Sequence, residues 1–150
     1  MPVLFRGIER HELVDAVALI AQGSLSPGSE SLEHLEDYWE AVQQTRARDG
    51  EVLVGVLGTD VVAVCQVIIF RHFQHSAGWC CEIESVYVSE KHRGQGIGTA
   101  LLGHVEEFAR SRGCYRVQLA SRNERLDAHR FYCRSGFAQS SQGFKKQLLE

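Results

Sequence analysis

The chain contains 150 residues with a formal net charge of −3, and 44% of them are hydrophobic and 23% charged. This length fits one domain with its own core, and the lack of a basic excess argues against nucleic acid as a partner. Because the longest apolar runs are too short to cross a bilayer and residues 1–10 lack the features of a signal peptide, we expect a cytoplasmic protein with no membrane partner.

The first part of the chain predicts one strand, two helices and a β-hairpin. Residues 3–5 form a short apolar opening strand, and apolar residues at helical spacing predict a helix over residues 9–22. After a loop rich in glycine and serine, Ser31 is typical of the residue that caps the start of a second helix. Residues 51–70 carry many β-branched side chains on both sides of a Gly-Thr-Asp turn, which predicts the hairpin.

The second part predicts alternating strands and helices. Strands are predicted over residues 79–88 and 115–120, with helices over residues 98–110 and 126–135. Residues 137–148 have room for a closing hairpin. The order β-α-α-β-β-β-α-β-α-β-β predicts an α/β domain with a mixed central sheet flanked by helices.

Alternation along strand 79–88 predicts two sets of side chains. One face carries Glu82, Glu84, Val86 and Val88, and the other carries Ile83 and Tyr87. Two carboxylates among apolar neighbours on a central strand are candidates for a general base, because burial raises the pKa of a carboxyl group. The alternative is a pair of partly exposed glutamates with Arg116 or Arg122 as partners.

A glycine-rich segment joins strand 79–88 to the following helix. Its sequence is Arg93-Gly94-Gln95-Gly96-Ile97-Gly98-Thr99. Glycines let backbone N–H groups converge at a helix N-terminus and bind an anion, to which Arg93 and the Thr99 hydroxyl can also donate. The segment lacks the lysine of a Walker A loop, and its spacing departs from G-x-G-x-x-G at Thr99. The alternative is a glycine turn that only begins a helix.

The cysteines and histidines suggest no metal site. Five cysteines without C-x-x-C spacing predict reduced thiols rather than disulfides. His72 and His75 precede Cys80 and Cys81, a set that could suggest zinc. Adjacent cysteines lack the usual C-x₂₋₄-C spacing, so we expect no metal.

Two sequence blocks resemble the GNAT superfamily of N-acetyltransferases. The first is Arg93-x-x-Gly96-x-Gly98, which is similar to the family signature Q/R-x-x-G-x-G/A, and the second is Ala128, Phe131-Tyr132 and Gly136-Phe137. The strand before the first block, residues 83–88, and the helix after it, residues 99–102, also resemble the family. Together these segments cover residues 79–137, and the predicted hairpin fits the same plan. The resemblance implies a single GNAT-like acyl-CoA N-acyltransferase domain over residues 1–150, with strands 79–88 and 115–121 parallel and splayed apart at the cofactor site.

The resemblance also implies acetyl-CoA as the acyl donor. Its pyrophosphate would bind the segment Arg93 to Thr99, and its pantetheine arm would bind along the backbone of Val86, Tyr87 and Val88. Many family members have an asparagine seven residues before the conserved tyrosine. Here Arg125 occupies that position and Asn123 lies nine residues before, so Asn123 is a weaker candidate for a cofactor contact.

The catalytic roles that the resemblance implies fall on three residues. Tyr132 would be the general acid, and a carboxylate would deprotonate the acceptor, with Glu84 preferred slightly over Glu82. The acceptor would be a primary amine on a small molecule, an amino sugar or a protein, attacked directly within a ternary complex. Residues 113–117 faintly resemble glucosamine-phosphate N-acetyltransferases.

Three further expectations follow. A homodimer is common in the family, and residues 137–148 could form its interface. A non-catalytic acyl-CoA binding or sensing domain is the alternative to an enzyme, because it would need the glycine segment but neither acid nor base. A nucleotide-binding regulator is disfavoured by the missing lysine.

Overall fold

The computed structural model describes residues 2–149, apart from the side chain of Pro27. The chain divides into two compact units, the first ending at Gln118 and the second beginning at Leu119. The single domain expected over residues 1–150 stays a prediction. Within residues 2–149, no helix combines the length and apolar composition that a membrane span needs.

The elements of the first unit follow the predicted order. They are β1 (Leu4–Gly7), α1 (Leu13–Gly23), α2 (Leu35–Ala47), β2 (Glu51–Leu57), β3 (Asp60–Arg71), β4 (Trp79–Val88), α3 (Ile97–Ser111) and β5 (Cys114–Leu119), whose last residue begins the second unit. The five strands form one sheet in the order β1-β2-β3-β4-β5. The pairs β1–β2, β2–β3 and β3–β4 are antiparallel.

Strands β4 and β5 run parallel, which makes the sheet mixed as predicted. Arg116 lies beside Cys80, and Gln118 lies beside Glu82, so the contacts advance in the same direction along both strands. The crossover through α3 provides the long connection that a parallel pair requires. The predicted splaying of the two strands stays a prediction.

Two helices begin later than the sequence pattern predicts, because a short 3₁₀ turn precedes each. Arg10–Glu12 precedes α1, and Leu32–His34 precedes α2. Ser31 caps the second turn, with its hydroxyl accepting a hydrogen bond of 3.2 Å from the Glu33 backbone N–H. The predicted capping residue is therefore right, and only the type of helix that it starts differs.

Helices cover both faces of the sheet. On one face α1 and α2 close a core cluster that consists of Ile8, Leu13, Ala16, Leu19, Val42, Val54, Val56 and Val64. On the other face α3 buries a stripe that consists of Ile97, Leu101, Leu102, Val105 and Ala109. His104 of α3 packs on Phe5. Arg6, the neighbour of Phe5, pairs with Val54 of the α1–α2 core cluster. Because neighbouring residues of a strand face opposite sides, the Phe5 side chain points away from the α1–α2 face.

At Ser85, strand β4 contains one residue more than the segment of β3 that lies opposite it. Val64 pairs with Tyr87 and Gln66 pairs with Glu84, so β3 advances two residues where β4 advances three. Ser85 has a φ of 57°, in the left-handed region that a serine rarely adopts. The sheet therefore contains a β-bulge at Ser85, a feature found more often next to functional sites.

The bulge overturns one predicted face. Glu82 and Glu84 share a face as expected, but Tyr87 lies on that face too, on the side of α1 and α2. Val88 pairs with Ala63 and lies on the face of α3. The prediction that Val88 shares the face of the carboxylates is wrong, because the extra residue reverses the alternation after Ser85.

The second unit contains α4 (Leu126–Arg134), which confirms the last predicted helix. The predicted hairpin over residues 137–148 is wrong, since residues 137–149 form neither helix nor strand. The run Gln139 to Gln142 is polar and offers no apolar face, and Phe144 and Leu148 remain exposed. Without alternating apolar positions, this segment has no face to bury against a sheet.

Replacing Val105 with alanine should destabilise the protein more than the same change at Val14. Val105 is 0% exposed in α3, whereas Val14 is 44% exposed in α1. Loss of two buried methyl groups and the resulting cavity should lower the free energy of unfolding by about 2 kcal/mol for Val105→Ala, against less than about 0.5 kcal/mol for Val14→Ala. Urea denaturation measures both, and equal losses would contradict the assignment of Val105 to the core.

Candidate active site

The glycine segment at the start of α3 has the geometry of an anion-binding loop. Gly94 and Gly96 have φ values of 77° and 80°, and a Cβ built on either would meet nothing within 4 Å. Gly96, the N-cap of α3, has no side chain that could cap the helix. Within residues 2–149, the first N–H groups of α3 therefore have neither an intrahelical acceptor nor a side-chain acceptor, and the helix dipole favours an anion there.

The remaining residues of the segment hold it at the end of β4. Arg93 donates from Nε to the backbone oxygen of Val88 at 3.4 Å, and its Nη1 lies 3.9 Å from Glu90 Oε1. Ile97 is buried in the core, which anchors the first turn of the helix. Gln95 and Thr99 are exposed to solvent. These contacts leave the predicted phosphate-binding groups at the surface.

The predicted pantetheine-binding residues lie beyond the bulge. Val86, Tyr87 and Val88 are half-buried, and Ser89 donates its N–H to Val62 of β3 at 2.8 Å. The Tyr87 ring packs under Gly23 at the end of α1, where a Cβ would come within 2.5 Å of it. This part of β4 is therefore fixed by β3 on one edge and by α1 on one face.

Glu82 is the more buried of the two carboxylates. Its Oε2 is buried and has no hydrogen-bond partner among residues 2–149. Burial raises the pKa of Glu82 above its ordinary value, the charge of Glu84 raises it further, and Gln118 and Arg116 oppose these effects. A carboxylate with a raised pKa and an unpaired oxygen is suited to accept a proton or an ammonium.

Glu84 lies two residues further along the same face and is exposed. It pairs with Gln66 of β3, whose amide donates to Thr45 Oγ1 of α2 at 3.0 Å. The structure thus brings the two predicted carboxylates together on the α1–α2 face and distinguishes them by burial.

The sequence did not identify Gln118 as a residue of the site, nor Cys80 as its hydrogen-bond partner. The Cys80 thiol donates to Gln118 Oε1 at 3.5 Å, which directs the amide N–H₂ of Gln118 towards the neighbouring Glu82. Burial raises the pKa of Cys80, so it stays a thiol. A pattern in the sequence could have predicted this contact. Cys80 and Glu82 are two residues apart on one strand, and Arg116 and Gln118 are two residues apart on the strand predicted to run parallel to it.

The remaining predicted residues lie in the second unit. Tyr132 is half-buried in α4, with its ring centroid 5.4 Å from that of Phe131 and 5.9 Å from that of Phe137. The Phe137 N–H donates to the Tyr132 backbone oxygen at 3.0 Å. Asn123 is exposed in the turn before α4. Their roles stay predictions.

Residues 17–137 match the family model described as "Acetyltransferase (GNAT) family". The chain belongs to the GNAT family. A crystal structure described as a transcriptional regulator from Bacillus halodurans C-125 has a TM-score of 0.90 and 30% identity to this GNAT chain, covering 97% of it and 99% of the other. The family resemblance and the GNAT-like fold expected from the sequence are therefore confirmed.

Two curated GNAT relatives match over shorter lengths. An aminoalkylphosphonate N-acetyltransferase of Salmonella typhimurium is 40% identical over 89 residues, which are 59% of this chain and 57% of that protein. A glucosamine 6-phosphate N-acetyltransferase of Trypanosoma brucei brucei is 35% identical over 77 residues, 51% of this chain and 50% of that protein. The chain spans about half the length of these curated relatives.

The histidines of this GNAT chain contact an aromatic residue instead of the cysteines. His72 Nδ1 lies 2.6 Å from Tyr115 Oη, and the rings of His75 and Tyr115 are 5.7 Å apart. In the described part of the chain, no three or more His, Cys, Asp or Glu side chains form a group that could hold a metal ion. The expectation of a metal-free protein stays a prediction.

Glu82→Gln should gain stability relative to the wild type as the pH rises. Since the folded state holds the pKa of Glu82 above 4.5, the unfolded chain loses this proton first, and the wild type loses stability between that value and the raised folded pKa. Glutamine does not titrate, so the difference in free energy of unfolding should grow across this window and be constant above it. Denaturation from about pH 4 to about pH 8 measures the difference. A difference that does not change with pH would contradict the raised pKa.

Proposed function

We propose that the chain is an acetyl-CoA-dependent N-acetyltransferase that acetylates a primary amine by direct attack in a ternary complex. The observation that carries this proposal is the uncapped N-terminus of α3 behind two left-handed glycines, Gly94 and Gly96, in a chain of the GNAT family. Such a loop fits a pyrophosphate, because converging N–H donors and the helix dipole both favour an anion.

Each predicted donor-binding residue then has a role. The N–H groups of residues 94–99 and the Arg93 guanidinium hold the pyrophosphate, and the backbone of residues 86–88 holds the pantetheine arm. Asn123 remains a candidate for a further contact with the donor. Acetyl-CoA, when bound, supplies the thioester carbonyl carbon that the amine attacks.

The side chains supply the proton transfers. Glu82 takes a proton from the ammonium of the acceptor, and its burial and unpaired Oε2 support it over Glu84, which remains the alternative base. The amine nitrogen then forms a bond to the carbonyl carbon while the carbon–sulfur bond breaks. Tyr132, as general acid, gives a proton to the departing thiolate, and the second proton that the nitrogen loses on becoming an amide restores the Tyr132 hydroxyl.

The acceptor belongs to the class of primary amines, on a small molecule, an amino sugar or a protein. The relatives named for aminoalkylphosphonate and glucosamine 6-phosphate support an amine acceptor. A homodimer formed through residues 137–148 stays part of the proposal, although these residues contain no strand.

A non-catalytic acyl-CoA sensing domain is the second candidate. The Bacillus halodurans structure that is 30% identical over 97% of this chain is described as a transcriptional regulator, and that description favours sensing over turnover. Both candidates require acetyl-CoA binding at the glycine segment, and only the first requires Tyr132 and a carboxylate.

Acetyl-CoA should raise the thermal unfolding temperature, while ATP and NAD at equal concentration should not. A ligand at about 100 times its dissociation constant adds roughly 2.7 kcal/mol of stability. Gly96→Ala should weaken acetyl-CoA binding by at least about tenfold, because its Cβ would enter the space on which the N–H donors converge. Thermal unfolding at a series of acetyl-CoA concentrations measures this.

Gly113→Ala is the matched control for this change. Gly113 also has a positive φ, 75°, with nothing within 4 Å of a Cβ, but it lies at the other end of α3. Both variants bear the same backbone strain, so only Gly96→Ala should lose affinity. Equal losses in the two variants, or an equal shift with ATP, would remove the support for a donor site at the glycine segment.

Tyr132→Phe should lower kcat and leave acetyl-CoA binding unchanged. General acid catalysis contributes about 10²–10⁴-fold, so a fall of at least about 10²-fold is expected. Thiol release measured with a panel of primary amines checks kcat, and thermal unfolding with acetyl-CoA checks binding. Unchanged turnover would exclude Tyr132 as the acid. Acetyl-CoA binding by the wild type without turnover of any amine would favour the sensing domain.

A further inference from the structure

An unpaired cation lies next to the carboxylate face of β4. Arg116 of β5 is exposed and forms no ion pair within residues 2–149. Its guanidinium lies beside the Cys80 thiol and 5.3 Å from the ring centroid of Tyr115. Burial lowers the pKa of His72, and the charge of Arg116 lowers it further. A cation without a counter-ion among several hydrogen-bonding groups is suited to bind an anion.

Histidines from the β3–β4 loop contact Tyr115, the chain neighbour of this cation. His72 donates to or accepts from Tyr115 Oη at 2.6 Å, and the His75 ring lies 5.2 Å from the His72 ring. His75, Ser76 and Ala77 all have φ values between 53° and 56°. Each such residue costs about 1–3 kcal/mol, so the loop holds His75 against Tyr115 at an energetic expense that points to a function.

The distance between the cation and Glu82 limits the ligand. Arg116 lies beside Cys80, and Glu82 is two residues further along β4, which corresponds to roughly 7 Å along the strand. An ammonium at Glu82 and an anion at Arg116, each about 2.8 Å from its partner, fit this separation when about two or three carbon atoms join them. Both ends lie on the same face of the sheet, so one short molecule can reach both.

We propose that the acceptor is a primary amine carrying a phosphate or phosphonate group, which Arg116 and His75 bind while Glu82 receives the ammonium. A tetrahedral dianion offers three oxygens, which can accept hydrogen bonds from the Arg116 guanidinium and from an imidazole N–H. This arrangement matches the donors better than the two oxygens of a carboxylate do. The inference rests on the proposed acetyltransferase function and specifies its acceptor.

The test compares acceptors that differ in their anion. Steady-state kinetics with acetyl-CoA are measured for 3-aminopropylphosphonate, for O-phosphoethanolamine and for butylamine, which carries no anionic group. The wild type should show at least about a tenfold higher kcat/KM for one or both anionic amines than for butylamine. The two anionic amines distinguish a phosphonate acceptor from a phosphate ester.

Arg116→Gln should remove this preference through KM. The ratio of kcat/KM for the anionic amine to that for butylamine should fall at least about tenfold, with the stabilisation by acetyl-CoA unchanged. Arg110→Gln is the matched control, since Arg110 is an exposed arginine of α3 outside the proposed site, and its ratio should equal that of the wild type.

The outcomes separate this inference from the proposed function. Equal kcat/KM for butylamine and the amines with an anionic group, or an unchanged ratio in Arg116→Gln, overturns the acceptor class and leaves the acetyltransferase function standing. If no amine is acetylated, the proposed function fails, and calorimetric titration with 3-aminopropylphosphonate decides the anion site. Binding that Arg116→Gln abolishes supports the site, and absence of binding by the wild type overturns it.

Discussion

The extra residue at Ser85 determines how β4 serves two sides of the sheet. Before the bulge, Glu82 and Glu84 face α1 and α2, and after it Tyr87 returns to that face while Val88 turns towards α3. A left-handed serine costs about 1–2 kcal/mol relative to an extended one, so the pairing of β3 and β4 on both sides of the bulge must offset that cost. One strand can therefore present carboxylates to one ligand and lead directly into the glycine segment that suits another.

Local features of the sequence predicted most of the fold, because they act over a few residues. The buried stripe of α3 follows from its helical period, and the break before Ile97 follows from the alternate glycines. The bulge was missed because Ser85 has no local mark of a left-handed residue, and only the register against β3 reveals it. The C-terminal hairpin was predicted from available length alone, without an alternating apolar pattern to support it.

In the candidate site, too, local features of the sequence predicted one part, and contacts between distant parts of the chain determine the rest. Alternation was enough to place Glu82 and Glu84 on one face, but their difference in burial depends on β5, which reaches β4 only through the crossover of α3. Gln118 and Arg116 are more than 30 residues away in sequence, and only Arg116 was considered there, as a partner of exposed glutamates. Non-local contacts of this kind determine the electrostatics of a site, because each neighbour shifts the pKa of a buried carboxyl according to its charge and hydrogen bonds.

The opposing influences on Glu82 link binding of the acceptor to the chemistry. Burial and Glu84 raise the pKa of Glu82, whereas Gln118 and Arg116 lower it. An anion bound at Arg116 would neutralise the guanidinium and cancel its lowering effect, and the negative charge of that anion would itself favour the protonated carboxyl. The ammonium of the acceptor acts in the opposite direction, because a nearby positive charge favours the ionised carboxylate. Compared with an amine that lacks an anion, an acceptor that carries one would therefore leave Glu82 the stronger base when the ammonium has to lose a proton.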